Sequence, residues 1–448
     1  MVNVTLEYLQ ELQRAGGQEL SGYSQKTQKL PADMLELSLQ SLNAQQLYWL
    51  GVLSYFNEFS TPFWIALNSF LSREKEKIQK VHFLETINDY VELLKFNMQI
   101  LEKGLTPSIA GAHDFHREQT EKFMAAFFKF LFDVDGDNIK HVSKNSVKTL
   151  DNLIRAFPRA VQDVKKDFGF HFDDGGYEKI AETDRFTLYQ VFSRDKSVKV
   201  RKKAKPVIIV HPYVLGANIL GFLPDEKKSY THAFADQGIP TYIRILKNIH
   251  QNHALQVMTG EDDARDTRYF CEIIKDKHNK PLILNGFCQG GFICVCDLLS
   301  GELDDVVDAL ITCVAPIDGT RSKALVEYLQ HLPPRFIDLS YAAKKTPAGH
   351  QVVDGKVMSW VYKLKSMDKE APLVTFSRDL ASVQSMSKGG ADLKVNKTAA
   401  ALLHWLTYDR LDLPMAITQM SFDSYTIPIT KDGTLPVSLF GKELNFRK

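Results

Sequence analysis

The chain has 448 residues, which is enough for one large domain with an extension or for two domains. Hydrophobic residues make up 44% and charged residues 24%, as in ordinary globular proteins. The formal net charge of +1 argues against a nucleic-acid-binding protein, which usually carries a basic excess. The N-terminus shows no signal-peptide pattern, and no apolar run is long enough for a transmembrane helix. These features predict a cytoplasmic location.

The N-terminal part, residues 1–180, is predicted to be a mostly helical region. In residues 83–101 the apolar side chains recur at spacings of three and four, which is typical of an amphipathic helix. The richest aromatic stretch follows at residues 123–132. It has two readings: a helix buried on most sides, or an exposed face for a hydrophobic surface or a partner.

The pattern changes near residue 184, where residues 186–192 alternate as in a strand. A basic run at 199–205 is interpreted as a solvated hairpin loop, with a site for coenzyme phosphates as the alternative. Further strands are predicted at 207–210, 241–246, 282–285 and 310–314, with a helix at 262–275. Strands and helices that alternate at this spacing predict a parallel sheet with right-handed crossovers.

Between residues 315 and 414 the sequence pattern is mostly typical of helices, and no strand is evident. In an α/β-hydrolase-like sheet, an insertion at this point forms a cap over the active site. We therefore expect a hydrolase-like domain over residues 181–448 with a cap at about 320–425.

The strongest motif is Gly286-Phe287-Cys288-Gln289-Gly290, which stands between a predicted strand and a predicted helix. This is the layout of a nucleophile elbow, in which a sharp turn lifts one reactive side chain above the sheet. Gly286 and Gly290 flank Cys288 where a Cβ would collide in so tight a turn. The alternative is a glycine-rich turn that holds a buried cysteine.

At an elbow, Cys288 would lie at the positive N-terminal end of the following helix, a field that favours the thiolate. An oxyanion hole would take one backbone N–H from Gln289 and a second from the loop at residues 211–216, at Val214.

The other cysteines, Cys271, Cys294, Cys296 and Cys313, form no CxxC pair and no Cys/His ligand spacing, so neither a metal site nor a disulfide is predicted. Cys294 and Cys296 are predicted to be small core residues.

With its Gly-x-Cys-x-Gly-Gly elbow, the chain resembles the polyhydroxyalkanoate synthases, which have an α/β-hydrolase fold. Residues 207–212 and 218–220 are similar to the family's strand and oxyanion loop, and residues 261–263 to its acidic segment. The segment in which the chain leaves the cap and enters the next strand is also similar to that of the family, at Trp405, Asp409, Leu413, Pro414, Tyr425 and residues 440–444. The similarity covers residues 185–448 and is most specific at the elbow.

The resemblance implies polymerisation of 3-hydroxyacyl-coenzyme A through a thioester on Cys288, with coenzyme A as substrate carrier and no bound cofactor. A polymer granule surface and a homodimer are the partners it suggests. A cysteine thioesterase on the same fold and a non-catalytic granule- or partner-binding homologue remain as alternatives.

In this fold the nucleophile is followed by an Asp and then a His on later loops. By the resemblance, the strand that precedes the Asp would begin just after residue 448, so we expect a sheet cut short at its C-terminal end. Neither triad partner is assigned within 1–448. His404 lies within the cap and before any acidic loop, and His331 and His350 are no better placed.

Overall fold

The computed structural model describes residues 29–77, 81–132, 137–386, 393 and 395–447. The chain divides into two compact units. One comprises residues 1–55, 110–157 and 376–394, and the other comprises residues 56–109, 158–375 and 395–448.

The smaller unit is helical in its described part. It contains the first half of helix α1 (Lys29–Lys77), the second half of α2 (Phe83–Phe132) and α3 (Asp137–Asp151). Tyr48 is buried there, stacked on Phe115 with ring centroids 5.3 Å apart and edge-on to Phe376. The prediction that residues 123–132 are helical is confirmed, but their aromatic side chains lie outside the described ones, so neither reading of that stretch is tested.

A six-stranded sheet forms the centre of the larger unit, in the order β1-β2-β4-β3-β5-β6. Its strands are β1 (Tyr177–Glu182), β2 (Phe186–Val191), β3 (Val207–Val210), β4 (Thr241–Leu246), β5 (Leu282–Phe287) and β6 (Val307–Cys313). Strands β3 to β6 run parallel, whereas β2 is antiparallel to both β1 and β4. This strand order, with one antiparallel strand beside a parallel set, is the α/β-hydrolase arrangement, so the predicted fold is confirmed.

The apolar runs of the strands explain the burial of the sheet. All four residues of β3 are buried, because helices cover both faces of a parallel sheet. Helix α4 (Phe157–Asp163) precedes β1, and the helices that contact the sheet are α5 (Tyr230–Ala235), α6 (Gly260–His278) and α7 (Gln289–Leu299). A capping box between Thr259 and Asp262 begins α6. Strand β6 lies at one edge of the sheet, and most of its residues are exposed.

The basic run at 199–205 is a largely exposed loop, but it is not a hairpin. It joins β2 to β3, and β4 lies between those two strands in the sheet. The hairpin prediction was therefore wrong. Alternation within one strand does not reveal which strand will lie next to it.

The region after β6 is mostly helical, as predicted, with helices α8 (Lys323–His331), α9 (Gly355–Leu364), α10 (Pro372–Met386), α11 (Lys397–Tyr408) and α12 (Met415–Thr426). It also contains a small antiparallel sheet of β7 (Ala343–Lys345), β8 (Gln351–Val353) and β9 (Leu413–Pro414). The expectation of no strand was wrong because two or three residues are too few to show a period. A hairpin of β10 (Thr434–Leu439) and β11 (Lys442–Asn445) follows.

Within the larger unit, α2 packs one face against the region after β6. Phe96 is buried edge-on to Tyr328 of α8, and Gly104 lies against Met367. Among the helices that the structure describes, none has the length and apolar character needed to cross a membrane.

Candidate active site

Cys288 stands between the end of β5 and the start of α7, with backbone angles φ 54° and ψ −124°. Non-glycine residues with positive φ are uncommon and costly, and they cluster at functional sites. The Cys288 N–H donates to the carbonyl of Cys313 at 2.8 Å, which ties the strained residue to the end of β6. The turn is therefore a nucleophile elbow in geometry as well as in sequence.

The two elbow glycines are required by close backbone approaches. A Cβ at position 290 would lie 2.5 Å from the His211 carbonyl oxygen and 2.7 Å from that of Val210. A Cβ at position 286 would collide with the Cα of Gly291. The missing side chains let α7 sit directly against β5 and the end of β3.

The thiol of Cys288 is half-buried. Burial raises its pKa above the ordinary value and outweighs the opposing hydrogen bond from the Gln289 backbone N–H. That hydrogen bond acts in the direction expected at the helix N-terminus, where the thiolate is favoured. Desolvation of the sulfur is the larger effect, so the resting thiol is protonated at neutral pH.

The loop after β3 begins against the elbow, since His211 approaches Gly290. Val214 is buried, and its carbonyl accepts a hydrogen bond from the Leu411 N–H at 3.1 Å. Within the described chain its own N–H has no acceptor. Backbone N–H groups of buried residues rarely lack an acceptor, which makes this one the candidate second donor of the oxyanion hole. The geometry is compatible with the predicted oxyanion roles of Val214 and Gln289, which stay predictions.

His211 holds that loop in place as a neutral imidazole. Its Nδ1 is 3.0 Å from the Pro212 carbonyl, and its Nε2 accepts a hydrogen bond from the Leu246 N–H at 3.3 Å. Burial lowers its pKa to about 4. The imidazole is thus committed to two backbone contacts and not to the thiol.

Beneath the loop lies a fully buried polar cluster. Arg244 of β4 donates to Asp263 of α6 at 2.7 Å and to the Tyr213 hydroxyl at 2.6 Å. The Tyr213 hydroxyl in turn donates to Asp263 at 2.5 Å. Asp297 of α7 joins the cluster through Thr267 at 3.2 Å, and burial raises its pKa well above the usual range. The cluster connects the oxyanion loop, α6 and the elbow helix.

Two tyrosines from the cap-like region lie close to the thiol, and neither was predicted to belong to the site. Tyr362 of α9 and Tyr425 of α12 hydrogen-bond to each other, and each has its pKa raised mainly by burial and further by the proximity of Cys288. The pKa of Tyr362 reaches about 12. Only Tyr425 had a sequence signal, in the family resemblance.

Helix α12 also contacts the elbow directly. The Gln289 side-chain amide donates to the Ser421 hydroxyl at 2.9 Å, and both side chains are buried. The ring of Tyr425 packs against Gly319, where a Cβ would collide with it. The cap-like region thus contacts the elbow through Ser421 and lies near the Cys288 thiol through Tyr425.

Among the described residues, no imidazole or carboxylate makes a hydrogen bond to the Cys288 thiol. His404 packs between the rings of Phe168 and Tyr408, with centroids 5.3 and 5.0 Å away. No set of three or more His, Cys, Asp or Glu residues in the described ranges could hold a metal ion. Cys294 and Cys296 are fully buried in the core, as predicted.

Comparisons with known proteins give distant likenesses only. No family model and no curated protein matches the chain. The solved structures that resemble it include the Bacillus licheniformis lipase BlEst2 in mature form, at 14% identity over 49% of this chain and 70% of that chain, with a TM-score of 0.24. Brefeldin A esterase, a bacterial homologue of human hormone-sensitive lipase, matches at 12% identity over 60% and 84%, with a TM-score of 0.25. Esterase B from Lactobacillus rhamnosis matches at 13% over 41% and 65%, with a TM-score of 0.23. Likenesses this weak carry no argument, and the fold assignment rests on the strand order.

Proposed function

We propose that the protein is an acyltransferase that forms a covalent thioester on Cys288. The observation that carries the proposal is a half-buried thiol at a strained elbow, with the Gln289 N–H beside it. The unpaired N–H of Val214 lies on the loop that contacts the same elbow. A nucleophile and backbone donors are the parts that acyl transfer requires.

The reaction balances as an exchange of thioesters. The Cys288 sulfur attacks the carbonyl carbon of an acyl thioester, and the oxyanion that forms is stabilised by backbone N–H groups. The bond from carbon to the coenzyme A sulfur then breaks, and the coenzyme thiol leaves with the proton that Cys288 gave up. A hydroxyl of the acceptor attacks the acyl-enzyme, which yields an ester and restores the Cys288 thiol.

The choice of sulfur supports transfer over hydrolysis. A thioester on Cys288 retains the activation of the substrate thioester, whereas an ester on serine would give up that activation. The resemblance to the polyhydroxyalkanoate synthases supports a 3-hydroxyacyl-coenzyme A as substrate and the hydroxyl of a second unit or of a growing chain as acceptor.

The test is intact-mass spectrometry of the protein after incubation with 3-hydroxybutyryl-coenzyme A. The wild type and a Cys313→Ala control should gain one or more acyl units, and Cys288→Ala should gain none. Parallel assays of free coenzyme A and free acid separate transfer from hydrolysis. An adduct that persists in Cys288→Ala contradicts the proposal, and release of free acid without oligomer favours a thioesterase.

A non-catalytic binding homologue is the second candidate, because one observation favours it. The pKa of the thiol is raised, and the described residues supply it with neither an imidazole nor a carboxylate. Such a protein would bind the coenzyme A thioester without forming an adduct at pH 7 or at pH 9, where the thiolate fraction is larger. Binding measured by calorimetry without any acyl adduct would establish this alternative.

A further inference from the structure

Helix α2 carries a row of exposed aliphatic side chains along one face. Leu84, Ile87, Val91, Leu94, Met98 and Leu101 recur at alternating spacings of three and four residues. Leu105 and Ile109 extend the row, and each of the eight side chains is between 44% and 67% exposed. We call these eight residues the α2 seam. All of them lie within the larger unit.

The α2 seam is distinct from the face by which α2 is anchored. On the anchored face Phe96 lies against Tyr328 and Gly104 against Met367, and Ser108 one turn further on is also buried. The helix thus has one apolar face that is used within the larger unit and a second apolar face that is exposed. An exposed row of this length is unusual on a monomer and marks an interaction surface.

The spacing of the seam specifies the shape of its partner. Apolar residues that alternate at three and four form the a and d positions of a heptad, whose side chains insert between those of a facing helix. From residue 84 to residue 109 the seam spans about 38 Å at the rise of an α-helix. A helix of similar length fits it better than a flat surface does.

We propose that this partner is α2 of a second copy, packed antiparallel across a two-fold axis. In an antiparallel pair of identical helices, the numbers of two facing residues have a constant sum. With a sum of 192, Ile87 faces Leu105 of the other copy, Val91 faces Leu101, and Leu94 faces Met98. Every central seam residue then meets another seam residue. A two-fold contact of one surface with itself is the commonest form of protein assembly.

The charge of α2 around the seam and the exposed area of the seam both support a second copy as the partner. Residues 83–109 contain the acidic side chains Glu85, Asp89, Glu92 and Glu102 and the basic side chains Lys95 and Lys103. This segment is therefore mildly acidic, which disfavours an anionic membrane surface as the occupant. Eight aliphatic side chains that are 44–67% exposed offer on the order of several hundred Å², the scale of the roughly 800 Å² per partner in a standard interface.

Exposed apolar residues of α1 within the same unit enlarge the surface. Phe56, Trp64 and Leu71 are 45%, 61% and 50% exposed and lie eight and seven residues apart, so they share one side of α1. Near its end α1 lies beside the start of α2, where the rings of Phe70 and Tyr90 are 6.5 Å apart. Two such helices from each copy would form a four-helix assembly.

The first test measures molar mass by light scattering during size-exclusion chromatography at micromolar concentration. The chain mass is 50.9 kDa, so the wild type should elute at twice that mass. Leu94→Glu/Met98→Glu should elute at the mass of one chain. The control Val257→Glu/Tyr269→Glu, which charges two exposed apolar positions on other elements, should remain a dimer. A monomeric wild type, or a seam variant that remains dimeric with an unchanged circular dichroism spectrum, overturns the proposal.

The second test fixes the register by crosslinking. Ile87→Cys and Leu105→Cys are made in separate chains, and each is oxidised alone and after the two are mixed and allowed to exchange. Antiparallel pairing yields a disulfide-linked dimer only in the mixture. A disulfide-linked dimer of either variant alone would indicate parallel pairing and overturn the proposed geometry. Both readouts are independent of enzymatic activity.

Discussion

The carbonyl oxygen of His211 lies so close to Gly290 that a Cβ on residue 290 would be only 2.5 Å from it. This approach brings the loop after β3 against the first turn of α7 and thereby joins the two elements expected to stabilise an oxyanion. Because the obstructing atoms belong to the backbone, they cannot rotate away from an added methyl group.

Gly290→Ala should therefore displace the elbow or the loop. We expect a loss of roughly 1–3 kcal/mol of unfolding free energy, the usual cost of overpacking. Acylation of Cys288 should fall more steeply than stability, because the displaced groups are those proposed to react. Chemical denaturation and the intact-mass assay measure the two effects. Gly176→Ala, where an added Cβ meets only the flexible end of Arg194, is the control and should change neither.

Two similar substitutions in the buried cluster should lower the unfolding free energy by different amounts. Asp263→Asn removes the charge that compensates the fully buried Arg244, and breaking such a pair costs about 3–5 kcal/mol. Asp297→Asn should cost less, because burial raises the pKa of that carboxyl well above its usual range and so favours the uncharged form, which an asparagine resembles. Urea unfolding at pH 7 compares the two variants. Equal losses of stability would contradict the assigned charge states.

The reactivity of the Cys288 thiol should depend on pH as its raised pKa requires. A thiol with a raised pKa carries less thiolate at neutral pH than a free cysteine, whose pKa is about 8.5. Alkylation of Cys288 by iodoacetamide should be slow at pH 7 and rise about tenfold per pH unit toward pH 9. Peptide mass spectrometry identifies the modified residue, with Cys288→Ala as the control. A rate that levels off below pH 8 would show that a partner lowers the pKa.

The tyrosine pair should affect the chemical step. If a phenol donates to the thiol or to the oxyanion, Tyr362→Phe or Tyr425→Phe should lower kcat on the order of 100-fold with KM little changed. Tyr328→Phe removes the hydroxyl of a tyrosine that packs on Phe96 and serves as a matched control. Steady-state release of coenzyme A gives both constants. A rise in KM alone would make the pair a binding feature.

Local pattern was sufficient for much of the fold. Strand β4 and helix α6 follow from runs of apolar residues and from spacing within a few neighbours along the chain. The elbow followed from glycines two residues either side of Cys288 between a strand and a helix. Each of these features depends on sterics within a few residues, and such sterics are visible in the sequence.

Other features depend on contacts between distant segments. The position of β4 between β2 and β3, which makes the basic run a crossover loop, is decided by sheet pairing. Tyr362 and Tyr425 lie 63 positions apart in the sequence, a separation that no helical or strand period encodes. Their convergence on Cys288 depends on how the helices that carry them pack.

The turn that presents Cys288 was determined by the sequence, since it needs only its adjacent glycines and the elements on either side. The protonation state of the Cys288 thiol was decided by the tertiary structure. Burial of the sulfur raises the thiol pKa against the effect of the helix N-terminus, and the amount of burial depends on segments distant in sequence. Burial by the packed protein also keeps His211 neutral and makes the ion pair of Arg244 with Asp263 necessary. Desolvation is a property of the packed protein and not of a local stretch of chain.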